Sequence, residues 1–326
     1  MTRILVAGGA GYIGSHMVLG LDAAGFDVVT VDNLYSGYED AVLAGEFIRG
    51  DIGDAAFLDA LFGRLRFDAV MHFAAHIEVG ESVAEPAKYY FNNFTNAQAL
   101  LDAMRRHGVE AFIFSSTAAI FGEPRYVPID EAHPKLPINP YGRSKWMVEQ
   151  LLEDYDKAYG LRSVALRYFN ACGADPECRV GERHDPESHL IPLILQAASG
   201  RRERITVFGD DYDSPDGTCV RDYIHVNDLC DVHLLALRGL LDGAGSDRFN
   251  LGNSQGFSVR EVIDTARAVT GREIPETRGE RRAGDPARLV ADAKRAKSQL
   301  GWNPRLADLD VIIAHAWAWE QKHFGA

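Results

Sequence analysis

Tyr141 and Lys145 stand four residues apart in the run Tyr-Gly-Arg-Ser-Lys. On a helix, positions i and i+4 share one face, so a phenol and an amine would project side by side. An ammonium beside a phenol favours the phenolate, so the pair predicts a Tyr141 pKa below the ordinary value near ~10. Such a tyrosine can take a proton from an alcohol while a cofactor takes the hydride. The Ser115-Ser116-Thr117 run adds a hydroxyl, Thr117, that can hydrogen-bond the same substrate oxygen. A Tyr-x-x-x-Lys spacing is common by chance, so its weight depends on the elements around it.

A hydride acceptor needs a binding site, and the N-terminus supplies the pattern for one. Gly8-Gly9-Ala10-Gly11-Tyr12-Ile13-Gly14 follows an apolar run and opens a helical one. Glycines there allow a tight turn and close backbone approach to a pyrophosphate at the helix's positive end. Asp32 ends the next apolar run, about 20 residues beyond the glycine loop, where a carboxylate can accept from both ribose hydroxyls of NAD. The same charge would repel a 2′-phosphate, so NAD is predicted over NADP. Asp51-Ile52 ends a third run, either beside an adenine or as an ordinary polar strand end. Phe73-Ala74-Ala75 ends a fourth, where small residues let backbone pass close to the cofactor.

The elements predicted to position these residues alternate regularly. Strands are read at Ile4–Ala7, Val28–Asp32, Phe47–Asp51, Ala69–Phe73, Ala111–Ser115 and Ser163–Arg167. Helical patterns fall near 14–24, 55–64, 90–107 and 141–159. This alternation predicts an α/β fold with a Rossmann-type, doubly wound parallel sheet. Asn139 and Pro140 are start signals for the helix carrying Tyr141, and Gly160 is a stop. Beyond about residue 172 the texture shifts to Asp/Pro/Gly-rich segments, then helices near 190–199, 227–241, 258–270 and 309–322 with short strands near 204–208 and 248–252. The reading is an NAD-binding domain over 1–172, rejoined by about 220–248, and a smaller α+β substrate-binding domain over 173–326.

The 326 residues carry 34 Lys+Arg against 47 Asp+Glu, a net charge of -13, which disfavours nucleic acid and anionic membranes as partners. Cys172, Cys178, Cys219 and Cys230 form no C-x-x-C pair, so reduced thiols and no metal are expected. Met1-Thr2-Arg3 runs straight into an apolar strand, and no apolar run is long enough to span a membrane. A cytoplasmic protein is the expectation.

Taken together, these residues resemble the extended short-chain dehydrogenase/reductases, and among them the UDP-hexose 4-epimerases. The resemblance covers essentially the whole chain. It runs through Gly8–Gly14, Asp32-Asn33-Leu34, His72–Ala75, Val79–Ser82, Tyr89–Asn93, Ile113–Thr117, Pro140–Lys145, Leu166–Asn170, Val220–Val226 and Arg281–Asp285. It implies interconversion of UDP-galactose and UDP-glucose through a transient 4-keto sugar, with hydride passing to and from bound NAD. Tyr141 would move the 4-hydroxyl proton, and Lys145 would also bind the nicotinamide ribose. Tyr12, Ile13, Asn33, Leu34, Asn92 and Phe169 would be further cofactor contacts. Asn170, His189, Leu190, Phe208, Arg221, Arg282 and Asp285 would hold the UDP portion. A homodimer through helices matching 90–107 and 141–159 is also implied.

Three positions depart from familiar members of the group. Ile77 falls where several carry a lysine, and His189 where an asparagine often bonds the diphosphate, which opens a pH dependence. Leu289, at a position thought to gate N-acetylated sugars, is intermediate in bulk, so UDP-N-acetylhexosamines stay open as substrates; UDP-arabinose and UDP-xylose stay open because the same site can act without a C6 hydroxymethyl. Related dehydratases carry an Asp-Glu pair just after the threonine; here stand Ala118 and Ala119. Without an acid or base there, water elimination has no proton carrier. A non-catalytic NAD sensor on the same fold is the rival from another class.

Overall fold

The computed structural model describes residues 1–281 and 286–325. Its first half follows the β–α alternation closely: β1 (Arg3–Ala7), α1 (Tyr12–Ala23), β2 (Asp27–Asp32), β3 (Glu46–Arg49), α2 (Ala55–Arg64) and β4 (Ala69–His72). Two short helices follow, α3 (Val79–Ala84) and α4 (Pro86–Tyr89). A π-helical stretch Tyr90–Thr95 then runs into α5 (Asn96–His107). Next come β5 (Ala111–Thr117), α6 (Pro140–Tyr159) and β6 (Arg162–Tyr168).

The second half contains β7 (Asn170–Cys172), α7 (Leu190–Ser199), β8 (Ile205–Phe208), β9 (Val220–His225), α8 (Val226–Leu241) and β10 (Asp247–Leu251). It closes with β11 (Gly256–Ser258), α9 (Val259–Thr270), β12 (Glu276–Gly279), β13 (Arg288–Leu289), α10 (Lys294–Leu300) and α11 (Leu309–Phe324).

The central sheet has the order β10-β6-β5-β4-β1-β2-β3, and neighbouring strands in it run parallel. Side chains alternate across it, as strand geometry requires. Ile4 and Val6 face one core with Met17, Leu21, Leu229 and Leu237, whereas Leu5 and Ala7 face another with Leu58, Leu100, Phe112 and Leu152. Helices therefore cover both faces, the doubly wound arrangement that buries parallel strands. The order reverses between β1 and β4, which opens a crevice at the strands' carboxyl ends.

The chain does not stay in its second half once it enters it. α8 packs beside α1, and β10 pairs with β6 at the sheet edge. β9 instead joins β7, β11 and β13 in a separate small sheet. Helices α7, α9 and α11 surround their own core of Ile191, Ile194, Val262, Ile312 and Ile313.

Candidate active site

Helix α6 starts where its sequence signals say. The Asn139 side chain accepts from the Gly142 amide at 2.8 Å, Pro140 fills the first turn, and Gly160 takes the left-handed conformation at the end. The helix presents Tyr141 and Lys145 inward; Lys145 is 2% exposed, and its Nζ donates to the Ser115 carbonyl at 2.8 Å. Thr117 ends β5 opposite them. Its hydroxyl accepts from the Ala119 amide at 3.1 Å and stands close enough to the Tyr141 phenol to favour its phenolate. The three chemistry-bearing residues thus converge from α6 and β5.

The electrostatic balance differs from the sequence expectation. Burial pushes the Tyr141 phenol up; the Thr117 hydrogen bond opposes this, and Glu78 adds to it. Lys145 does not hold it down, because burial drives the lysine's own pKa to about 7. An amine that is only partly protonated near neutrality is a weak partner for a phenolate.

The glycine loop fits a pyrophosphate on the evidence of its own packing. Gly8 has φ +83, and a Cβ there would lie 2.4 Å from the Ala74 amide; at Gly14 a Cβ would lie 2.1 Å from the Gly8 carbonyl. Gly11 caps α1 with no side-chain hydrogen bond, which leaves the first-turn amides for an anion. Asp32 accepts from Ala10 N–H at 3.0 Å and Leu34 N–H at 2.8 Å, holding loop and strand end together. Asn33 Nδ2 reaches Asp51 Oδ2 at 3.0 Å. Strand β3 stops at Arg49, so Asp51 sits in a turn beyond the strand end rather than closing it, with its Oδ1 accepting from Gly53 N–H at 2.7 Å. Phe73 and Ala74 follow β4, both donating to the Ala7 carbonyl, at 2.7 and 3.1 Å. Tyr12 Oη donates to the Gly173 carbonyl at 2.7 Å, tying the loop to the chain's second half.

The described residues assigned to the nucleotide come from the small sheet, the start of α7 and the end of β8. Asn170 on β7 donates to the Asp222 carbonyl at 2.8 Å, and Leu289 on β13 pairs in register with Arg221 on β9. Phe169 and Leu289 both pack on the cluster of Ala118, Ile120 and Phe121, directly after Thr117. His189 and Leu190 begin α7, and Phe208 ends β8. Arg282 and Asp285 lie outside the described residues. Asn92 donates to Asn93 Oδ1 at 2.9 Å. Asn93 is the buried member, bonded to the His76 amide and carbonyl at 2.8 and 2.9 Å.

Sequence reasoning missed several groups. Tyr168 Oη lies 2.5 Å from Ser115 Oγ, beside Tyr141. Asp222 is fully buried and accepts from the amides of Asn253, Ser254 and Ala291 at 2.8, 3.1 and 3.1 Å. Burial outweighs those amides and pushes its carboxyl up to about 7. Its place in the Val-Arg-Asp-Tyr-Ile-His run was the available signal. Glu182, His184, Glu187 and His189 gather their side chains in one small cluster. Burial works against a charged His184, yet the adjacent carboxylates of Glu182 and Glu187 lift it to about 9. The same pair raises His189 well above the ordinary range against its burial, so an isolated titration near neutrality is not its behaviour.

Among the described residues no helix is long and apolar enough to cross a membrane. Comparison with known proteins agrees with the geometry. The chain is 53% identical over 325 residues to a UDP-glucose 4-epimerase of Streptomyces lividans, covering 98% of this chain and 97% of that one. A crystal structure of UDP-glucose 4-epimerase from Brucella ovis in complex with NAD superposes with a TM-score of 0.96 at 49% identity, covering 100% and 99% of the two chains. One from Stenotrophomonas maltophila, with bound NAD and formylated UDP-arabinopyranose, gives 0.95 at 41%, covering 99% and 98%. Residues 4–252 match the family model, and the chain belongs to the NAD dependent epimerase/dehydratase family.

Proposed function

We propose that this chain is a UDP-glucose 4-epimerase that interconverts UDP-galactose and UDP-glucose with NAD held in the β1–β4 crevice. The observation that carries the reading is the convergence of Tyr141 and Thr117 beside the buried Lys145, with two alanines following Thr117. The names carried by relatives about half identical over nearly the whole chain support it.

Gly8, Gly11, Tyr12, Ile13 and Gly14 would cradle the pyrophosphate, with Asp32, Asn33 and Leu34 at the adenosine ribose. Asp51, Ile52, Phe73, Ala74, Ala75, Asn92 and Phe169 would complete the cofactor site. When bound, NAD would supply the hydride acceptor facing C4 of the sugar and the hydride for the other face of the 4-keto sugar. Tyr141 takes the proton from the 4-hydroxyl as the hydride leaves and gives it back afterwards, so no net redox change occurs. Thr117 holds the same oxygen. Lys145, donating to Ser115, keeps a donor close to the phenol and the nicotinamide ribose. A fixed positive charge on the oxidised cofactor would favour the Tyr141 phenolate, offsetting the burial that raises it. Ala118 and Ala119 offer no proton to C5 or C6, which disfavours elimination.

Asn170, His189, Leu190, Phe208, Arg221, Arg282 and Asp285 would take the UDP portion, with Leu289 against the sugar. We also infer a cytoplasmic homodimer. Phe91 and Tyr159, 63% and 53% exposed at the ends of the segments around α5 and α6, support that contact surface.

The test is direct. Purified protein given UDP-galactose, without added oxidant or reductant, should form UDP-glucose up to equilibrium, with UDP-N-acetylgalactosamine and UDP-arabinose as comparison substrates. No turnover of any UDP-sugar would favour the NAD-sensing alternative.

A further inference from the structure

Glu182, His184, Glu187 and His189 each offer one ligand atom, and the four atoms lie within 4.8 Å of one another. His189 Nδ1 is 2.8 Å from Glu182 Oε1 and 3.2 Å from Glu187 Oε1. His184 Nδ1 is 3.3 Å from Glu182 Oε1 and 3.7 Å from Glu187 Oε2. Metal–ligand bonds of ~2.0–2.2 Å put the donors of a tetrahedral site roughly 3.3–3.6 Å apart, and these four separations, 2.8 to 3.7 Å, span that range.

The orientation of the groups points the same way. Glu182 is 8% exposed, yet its Oε1 has no aligned hydrogen-bond donor, and neither does the buried Nδ1 of His184. A buried carboxylate oxygen without a donor is costly unless something positive fills the space it faces. Protonated, His184 and His189 supply that positive charge themselves; a bound cation would displace their protons and take the same nitrogen lone pairs.

We propose that these four residues form a binding site for one divalent transition-metal ion of the zinc type. Two imidazole nitrogens with two carboxylate oxygens suit zinc, cobalt or nickel better than magnesium or calcium, which take all-oxygen shells. Two carboxylates also balance a double positive charge. The ligands all lie within eight residues, Glu182 to His189, so the ion would fasten the loop before α7 to that helix's N-cap. The Tyr12 ring stands edge-on to His184, with centroids 6.2 Å apart, so the fastened loop abuts the glycine loop. This site does not depend on the proposed reaction, and it runs against the sequence expectation of no metal. The ligands come from one loop and lack the cysteine spacing by which metal sites are usually read.

The test uses the whole NAD-loaded chain, dialysed against a chelator and titrated with zinc chloride, then with cobalt chloride. One zinc per chain should bind, raise the melting temperature and release protons as the imidazoles lose theirs. Cobalt should give the visible absorption bands of a low-coordinate nitrogen/oxygen site. H184A and E187Q should each weaken zinc binding roughly 100-fold or more while the chain remains folded by circular dichroism. Absence of stoichiometric zinc binding, or equal binding by wild type and both variants, would overturn the site. If either variant does not fold, zinc titration and the cobalt spectrum of the wild-type chain alone decide the matter.

Discussion

Arg167 on β6 and Glu149 on α6 form an ion pair sealed from water, with side-chain exposures of 0% and 2%. The guanidinium Nε lies 2.9 and 3.1 Å from the two carboxylate oxygens, and Ser116 Oγ donates to the same carboxylate at 2.6 Å. The pair therefore locks the helix that carries Tyr141 to β6, and the Ser116 bond ties the same carboxylate to the strand that carries Thr117. Removing one partner strands a buried charge, so E149Q or R167M should lower unfolding free energy by ~3–5 kcal/mol. Replacing both with apolar residues of similar volume should restore much of the loss. Denaturant unfolding of the two single variants and the double variant checks this coupling.

Lys145 should show a conflict between stability and activity. Its pKa is lowered to about 7 by burial in the fold, whereas the unfolded chain holds the proton up to ~10.4. Between those values the unfolded state binds more protons, so stability rises with pH. The cost of burying the charge is fully present below pH 7 and vanishes above ~10. K145M, prepared without cofactor, should therefore be more stable than wild type at pH 6–7, by ~2–4 kcal/mol less ~1 for the lost bond to Ser115. The advantage should fade toward pH 10, and activity should be lost throughout. Thermal melts across that pH range read the outcome; a gain that grows with pH would contradict the assignment.

Gly14 should admit no side chain. A Cβ there would stand 2.1 Å from the Gly8 carbonyl, and backbone cannot yield that distance without moving the loop. G14A should thus lose bound NAD, read from the absorbance of cofactor released on denaturation. Retention of one NAD per chain would mean that the loop does not hold the pyrophosphate.

Asp32 makes a milder and more specific prediction. It accepts two backbone amides as well as facing the crevice, so D32A should weaken NAD binding roughly 10-fold or more and loosen the loop. Its discrimination against NADP should fall further than its affinity for NAD, as competition binding with both cofactors would record.

Much of this was legible in the residues because local rules and tertiary structure agree there. The glycine loop, Asp32 and the Asn139-Pro140 cap each announce an element boundary through backbone chemistry that no distant contact overrides. Strand β9 was not legible. Val220–His225 is interrupted by Arg221 and Asp222, and it is stabilised as a strand by pairing with β7, β11 and β13 from far along the chain. The mutual pKa effect of Tyr141 and Lys145 was misjudged for a related reason. Spacing gives their proximity, but the depth of burial that dominates both comes from the whole packed domain. Of the Glu182–His189 cluster only His189 stands out in the sequence, as a diphosphate contact; Glu182, His184 and Glu187 read as ordinary polar loop residues until the fold gathers them.

The central claim is that Tyr141 moves the proton while bound NAD moves the hydride. The most direct measurement is the conversion of UDP-galactose to UDP-glucose by Y141F, followed alongside its NAD content and melting temperature. Loss of turnover by ~10²–10⁴-fold, with cofactor and fold retained, is the result this account requires. A Y141F enzyme that still carries NAD and turns over at close to the wild-type rate would contradict it.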